Sequence, residues 1–249
     1  MAYDRPAVLS IAGLDPSGGA GLLADIKTFE QHRCLGFGVA TAITAQTEDR
    51  FFGIEWLSPA LIWMQCQPLL DRYPVAVVKI GITESLPVLL DLVDRLQGIR
   101  DKVQIIWDPV IRASAGFRFM DPADKTMLVR ILQGLSLLTP NTQEASLLSG
   151  LEDTGEAALW LAQYCPVLLK GGHAAERGVD YLFEKGQRTA IDPGQEVLPP
   201  KHGSGCVLSS AIAAGLARGH TLPEACRMAK TYTETILNSN DQLLAYHDA

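Results

Sequence analysis

The stretch A-V-L-S-I-A-G-L-D-P-S-G-G-A-G-L-L-A-D-I-K-T-F, Ala7 to Phe29, decides the fold. Ala7 to Ala12 is apolar but for one serine, as in a strand buried on both faces. Gly13 to Gly19 is a turn of residues with special backbone preferences. From there Leu22, Ile26 and Phe29 recur at helical spacing. Strand, glycine turn and helix open a doubly wound fold, in which ligands gather beyond the carboxyl ends of the strands. The glycines are not spaced G-x-G-x-x-G, and no acidic residue closes a second strand about 20 residues on, so a nicotinamide fingerprint is disfavoured. Asp25 lies early in the helix, where the dipole favours a carboxylate with or without a ligand.

The alternation continues along the chain. Strands are predicted over 36–44, 50–57 (an edge), 75–80, 103–107, 135–139 and 167–170, with 180–183 and 189–191 paired as a hairpin. Helices are predicted over 59–73, 84–96, 121–133, 141–148, 155–163, 205–218 and 221–237, and the tail from Asn238 reads as frayed or partner-dependent. With no linker or repeat, residues 1–249 read as one α/β domain, a central, mostly parallel sheet with helices on both faces.

Composition narrows the function. Hydrophobic residues make up 47% of the chain, which excludes a disordered protein. Apolar runs fall short of the roughly 18 residues that span a bilayer, and the first residues lack a signal-peptide layout, so no membrane partner is expected. Five scattered cysteines without a CxxC pair point to a reducing, cytoplasmic compartment and away from a zinc site. A formal charge of −7 argues against nucleic acid as a partner. It also requires any phosphate site to draw positive potential from helix N-termini, a few lysines and a divalent cation.

The helix over 205–218 is apolar on nearly every side and therefore buried. Its start falls inside His202-Gly203-Ser204-Gly205-Cys206. First-turn N–H groups lack intrahelical partners, and glycines let a ligand approach them, so Gly203, Ser204, Gly205 and Cys206 form a candidate anion cradle. A glycine loop capping an ordinary core helix is the bland alternative. A thiol in that first turn is expected to have a lowered pKa. Other candidates stand at strand ends. The Gln46 amide can read a heterocycle edge or simply face solvent. Asp108 is held by the following proline. Asn141 and Glu144 have capping-box spacing and need no function to explain them. Lys170, at the mouth of Gly171-Gly172, can meet phosphate as a point charge.

Seven segments occur together in one order: Ser10–Gly21, Thr41–Gln46, Val78–Gly81, Asp108–Val110, Thr139–Ala145, Lys170–His173 and His202–Ala214. In this the chain resembles the hydroxymethylpyrimidine/phosphomethylpyrimidine kinases of thiamin biosynthesis, within the ribokinase-like superfamily. The resemblance implies ATP- and magnesium-dependent phosphorylation of 4-amino-5-hydroxymethyl-2-methylpyrimidine, of its monophosphate, or of both. It implies Gln46 as the pyrimidine reader, with Gly13, Val110 and Asp25 around it. Asp108 and Glu144 would hold magnesium, with Asn141 beside them. Lys170, Gly171, Gly172 and Lys230 would serve the nucleotide. It implies Cys206 where sugar kinases carry an aspartate base, and suggests a homodimer. Leu14 before Asp15, T-E-D after Gln46, Ile82 after K-I-G and Ser204 in place of threonine depart from the family pattern. The rival readings are a pyridoxal or pyridoxine kinase of the same superfamily and a non-catalytic pyrimidine sensor.

Overall fold

The computed structural model describes residues 4–99, 103–112, 116–171, 178–194 and 198–247. A nine-stranded sheet runs in the order β3-β2-β1-β4-β5-β6-β7-β8-β9. Its centre is β1 (Ala7–Leu14), β2 (Leu35–Gln46), β4 (Val77–Ile80), β5 (Gln104–Trp107), β6 (Leu137–Leu138) and β7 (Val167–Leu169). These six run parallel to one another. The antiparallel strands β3 (Phe51–Trp56) on one edge and β8 (Asp180–Glu184) and β9 (Gln187–Ile191) on the other complete it.

Period-two side-chain alternation sends each strand into two cores. Ala7, Leu9 and Ile11 of β1, with Ile105 and Trp107 of β5, join the core under α2 (Pro59–Arg72), α3 (Leu86–Ile99), α4 (Lys125–Gln133), α5 (Thr142–Ser149) and α6 (Thr154–Leu161). Val8, Val77 and Ile106 face the other way, under α1 (Gly21–Gln31), α7 (Ser204–Ala217) and α8 (Leu222–Leu237). Helix α7 is buried from Cys206 through Leu216, as its all-round apolar sequence requires.

Several boundaries shift by a few residues from the sequence expectation, and two differences have a visible cause. Helix α4 begins at Lys125 rather than at Asp121-Pro122. The Asp124 side chain accepts from the Met127 N–H and caps it, while Asp121 is taken by Arg118 at 2.7 Å. The segment after Asn238 is not frayed within the described residues. The Lys201 ammonium donates to the backbone carbonyls of Asn240 and Gln242, and the His202 N–H donates to the Leu243 carbonyl at 2.9 Å.

Candidate active site

A cavity of about 780 Å³ opens beyond the carboxyl ends of the central strands. Gly13 from β1, Gln46 from β2 and Val110 after β5 line it together with Asp108. So do Asn141 and Glu144 at the start of α5, Lys170 after β7, Gly203 to Cys206, and Lys230 of α8. Parallel strands all end on one side, so residues far apart in sequence meet there.

The glycine turn is shaped for a ligand. Gly203 sits at φ 78°, ψ 12°, and a Cβ there would lie 2.0 Å from the Gly19 carbonyl oxygen. The first described bond closing α7 is Val207 N–H to Gly203 carbonyl, 3.0 Å. Among the described residues, none offers an acceptor to the amides of Ser204, Gly205 or Cys206. Three unpaired N–H groups at a helix N-terminus on a cavity wall bind anions through direct donation and the helix dipole. The preceding residue anchors the turn: His202 Nε2 lies 2.9 Å from Asp15 Oδ2. Burial would lift the Asp15 carboxyl, but hydrogen bonds from His202, Ser17 and the Ala20 N–H outweigh it and hold it below the ordinary carboxylate range.

A charged cluster abuts the cradle: a Cβ at Gly205 would lie 3.2 Å from Lys170 Nζ and 3.9 Å from Asp108 Oδ2. Lys170 Nζ donates to Asp108 Oδ1 at 2.8 Å and lies 4.0 Å from Glu144 Oε2. Asp108 also accepts from Thr139 and Ser209, each at 3.2 Å. Burial raises the Asp108 carboxyl, yet the Lys170 and Lys79 ammonium groups bring it below the usual range, so it is ionised. Glu144 performs both roles its position allows. Its Oε2 accepts from the Asn141 N–H at 2.8 Å, closing the capping box, and it also lines the cavity. Burial pushes its carboxyl up to about 7, with Lys170 pulling down and Asp108 pushing up.

Several expectations from sequence need correction. Asp25 is not on the cavity wall. It is fully buried and paired with Lys79 at 2.8 Å, with Ser10 at 2.5 Å and Ser210 at 2.6 Å completing its partners. Gly171 is also off the wall, its N–H given to Asp180 at 2.8 Å. Gly172 lies outside the described residues. Lys230 reaches the cavity but is held by Asp180 at 2.9 Å and the Gly178 carbonyl. The Cys206 thiol is not acidified. Burial pushes it up to about 11, against the pull of Lys79 and the Gly21 N–H, and Asp108 and Asp25 push the same way as burial. The helix N-terminus is outweighed because the thiol has no water to solvate its anion.

Residues without an assigned role also stand here. Lys79 and His202 line the cavity, as do Asp15 and Arg112. Lys79 was the most legible: a lysine inside V-V-K-I must be paired in the interior, because an isolated buried charge is prohibitively costly. Nothing local pointed to the Asp15–His202 pair, whose members are 187 residues apart.

An open parallel sheet with an anion cradle at a helix N-terminus, faced by two carboxylates and a lysine, is the architecture of the ribokinase-like small-molecule kinases. Comparison with known proteins narrows this. The sequence matches the family described as phosphomethylpyrimidine kinase over residues 15–248, and the chain belongs to that family. It is 34% identical to a hydroxymethylpyrimidine/phosphomethylpyrimidine kinase of Rhizobium meliloti, covering 94% of this chain and 91% of the relative. A Clostridium difficile phosphomethylpyrimidine kinase structure superposes with TM-score 0.78 at 32% identity, covering 92% of this chain and 98% of that one. A Staphylococcus aureus pyridoxal kinase, solved with pyridoxal, superposes with TM-score 0.83 at 25% identity, covering 95% and 89%. No helix among the described residues is long and apolar enough to cross a membrane.

Proposed function

We propose that the chain transfers the terminal phosphoryl group of ATP to the hydroxymethyl oxygen of 4-amino-5-hydroxymethyl-2-methylpyrimidine, and to the phosphate oxygen of its monophosphate. The observation that carries this reading is the set of unpaired amides at Ser204, Gly205 and Cys206 on the same cavity as Gln46. Gln46 presents both a donor and an acceptor, matching a ring nitrogen beside an amino group. The cradle amides neutralise charge on the phosphoryl group as the new O–P bond forms and the bond to the bridging oxygen breaks, releasing ADP. The hydroxyl proton goes to water, since Cys206 stays protonated near neutral pH. Lys170, whose Nζ would lie 3.2 Å from a Cβ at Gly205, neutralises the polyphosphate from beside the cradle while still paired with Asp108.

The donor set fits magnesium. Asp108 and Glu144 are hard oxygen ligands, and no group of three or more His, Cys, Asp or Glu forms a protein-only cage among the described residues. Magnesium characteristically takes one or two carboxylates and keeps waters and substrate phosphates as its other ligands. Asp108 and Glu144 would hold it, and the ion would supply charge neutralisation on the phosphates. Asp108, with its oxygens already engaged by Lys170, Thr139 and Ser209, is suited to binding the ion's waters.

ADP release measured with ATP, magnesium and each of the hydroxymethylpyrimidine, its monophosphate and pyridoxal tests the reading. Turnover of the pyrimidines supports it. Turnover of pyridoxal alone would instead favour the second reading, to which the pyridoxal kinase superposition lends weight. Glu144 gives a pH prediction. A carboxyl with a pKa of about 7 loses its charge as pH falls, and with it the ability to hold the metal. The pH profile of kcat/KM, which reports the free enzyme, is expected to show an acid limb near pH 7. Glu144→Gln lowers the plateau and removes the limb; a limb unchanged in that variant assigns it elsewhere.

Five unpaired, buried cysteines support a reducing, cytoplasmic setting. Exposed Ile43, Phe52 and Met64 on β2, β3 and α2, at 50, 68 and 65% exposure, support a homodimer. Sedimentation velocity at micromolar concentration is expected to give twice the 27.0 kDa chain mass, and a monomer there refutes it.

A further inference from the structure

Among the described residues, the cations on the cavity wall already have a protein partner, with one exception. Lys79 is paired with Asp25 at 2.8 Å, Lys170 with Asp108 at 2.8 Å and Lys230 with Asp180 at 2.9 Å. Lys201 is spent on tail carbonyls, and His202 on Asp15. Arg112 lines the same cavity, is exposed, and has no hydrogen bond or ion pair among the described residues. Its bridge partner Arg118 is engaged, donating to the Met120 carbonyl at 3.1 Å and to Asp121 at 2.7 Å.

The placement of Arg112 is systematic. Asp108, Val110 and Arg112 all line the cavity, while Ile111 between the last two is fully buried in the core. The Ile111 carbonyl accepts from the Phe119 N–H at 2.8 Å, which fixes this segment against the aromatic strip of Phe117 and Phe119. Phe119 lines the cavity too, and its ring lies 5.7 Å from that of Phe51, the sheet partner of Gln46, so Arg112 belongs to the Gln46 end of the cavity. A monophosphate entering there meets Asp15, Asp108 and Glu144 in a chain of net charge −7. A guanidinium without a carboxylate partner is the group able to receive it, through its fixed fork of donors.

We infer that Arg112 binds the phosphate carried by the pyrimidine monophosphate and so selects that substrate for the second phosphorylation. This rests on the kinase reading above and assigns no role to Arg112 in the first step, whose substrate is a neutral alcohol. The test compares the full chain with Arg112→Gln and Arg112→Lys, measuring kcat and KM for the alcohol and for the monophosphate at saturating ATP. Loss of a charge-assisted contact is expected to raise KM for the monophosphate roughly tenfold or more, with a much smaller change for the alcohol. Arg112→Lys restores part of the loss. Equal effects on both substrates, or none on either, overturn the assignment of Arg112 while leaving the kinase reading intact. A wild-type protein that phosphorylates neither pyrimidine overturns that reading itself, and the assignment with it.

Discussion

A Gly203→Ala protein turns over at least about a hundredfold more slowly than wild type at saturating substrates. The reason lies in two features of one residue. Gly203 has a left-handed backbone, which costs a residue with a Cβ about 1–2 kcal/mol. The added Cβ would also lie 2.0 Å from the Gly19 carbonyl oxygen and 2.7 Å from the Ala20 Cα. Both are backbone atoms of the first glycine turn, so no side chain can swing aside to relieve the contact. The 203–206 turn must move as a unit, and its amides leave the positions from which they meet the phosphoryl group. A displacement on the order of 1 Å costs about that factor in a positioned site. Steady-state kcat, read beside a thermal melt showing the variant folded, checks the expectation. Wild-type turnover in a folded Gly203→Ala protein would place phosphoryl transfer away from this turn.

Lys79→Met is expected to lower the unfolding free energy by about 3–5 kcal/mol, the usual cost of stranding one member of a buried ion pair. Lys79 and Asp25 are both fully buried, and the carboxylate has Lys79 as its counter-ion, with Ser10 and Ser210 donating alongside. The pair ties β4 to α1, and the serines add β1 and α7, so four elements that frame the cavity share one polar knot. Burial lowers the Lys79 pKa and Asp25, Cys206 and Asp108 raise it, with the net shift upward, so the ammonium remains charged at every working pH. Denaturant unfolding of Lys79→Met, Asp25→Leu and the double variant measures the coupling. The double variant is expected to recover much of the single-variant loss, because no charge is then stranded. A loss in Lys79→Met below about 1 kcal/mol would mean that Asp25 needs no counter-ion, against the ordinary cost of a buried charge.

The two expectations differ in how far the sequence reached towards them. Gly203 was legible because a glycine turn ahead of an all-apolar helix carries its own geometric reason. The Lys79–Asp25 pair was half legible. A lysine in an apolar strand demands a partner, but its partner lies 54 residues away, at a position the family resemblance assigns to the pocket. Cys206 shows the opposite failure. A first-turn thiol is acidified by local rules, and only its burial, with the Asp108 and Asp25 carboxylates pushing the same way, reverses the sign.

The sequence by itself determined the alternation of strands and helices, the caps at Asn141–Glu144 and Thr221–Glu224, and the glycine turns, because each is written in backbone preferences within a few residues. Tertiary structure alone decided which charges meet, which are desolvated and which remain unpaired. Those outcomes depend on sheet order and on the exclusion of water, and neither is encoded within any single stretch. Arg112 without a partner among the described residues on the cavity wall, and the tail carbonyls closed over Lys201, are consequences of that assembly.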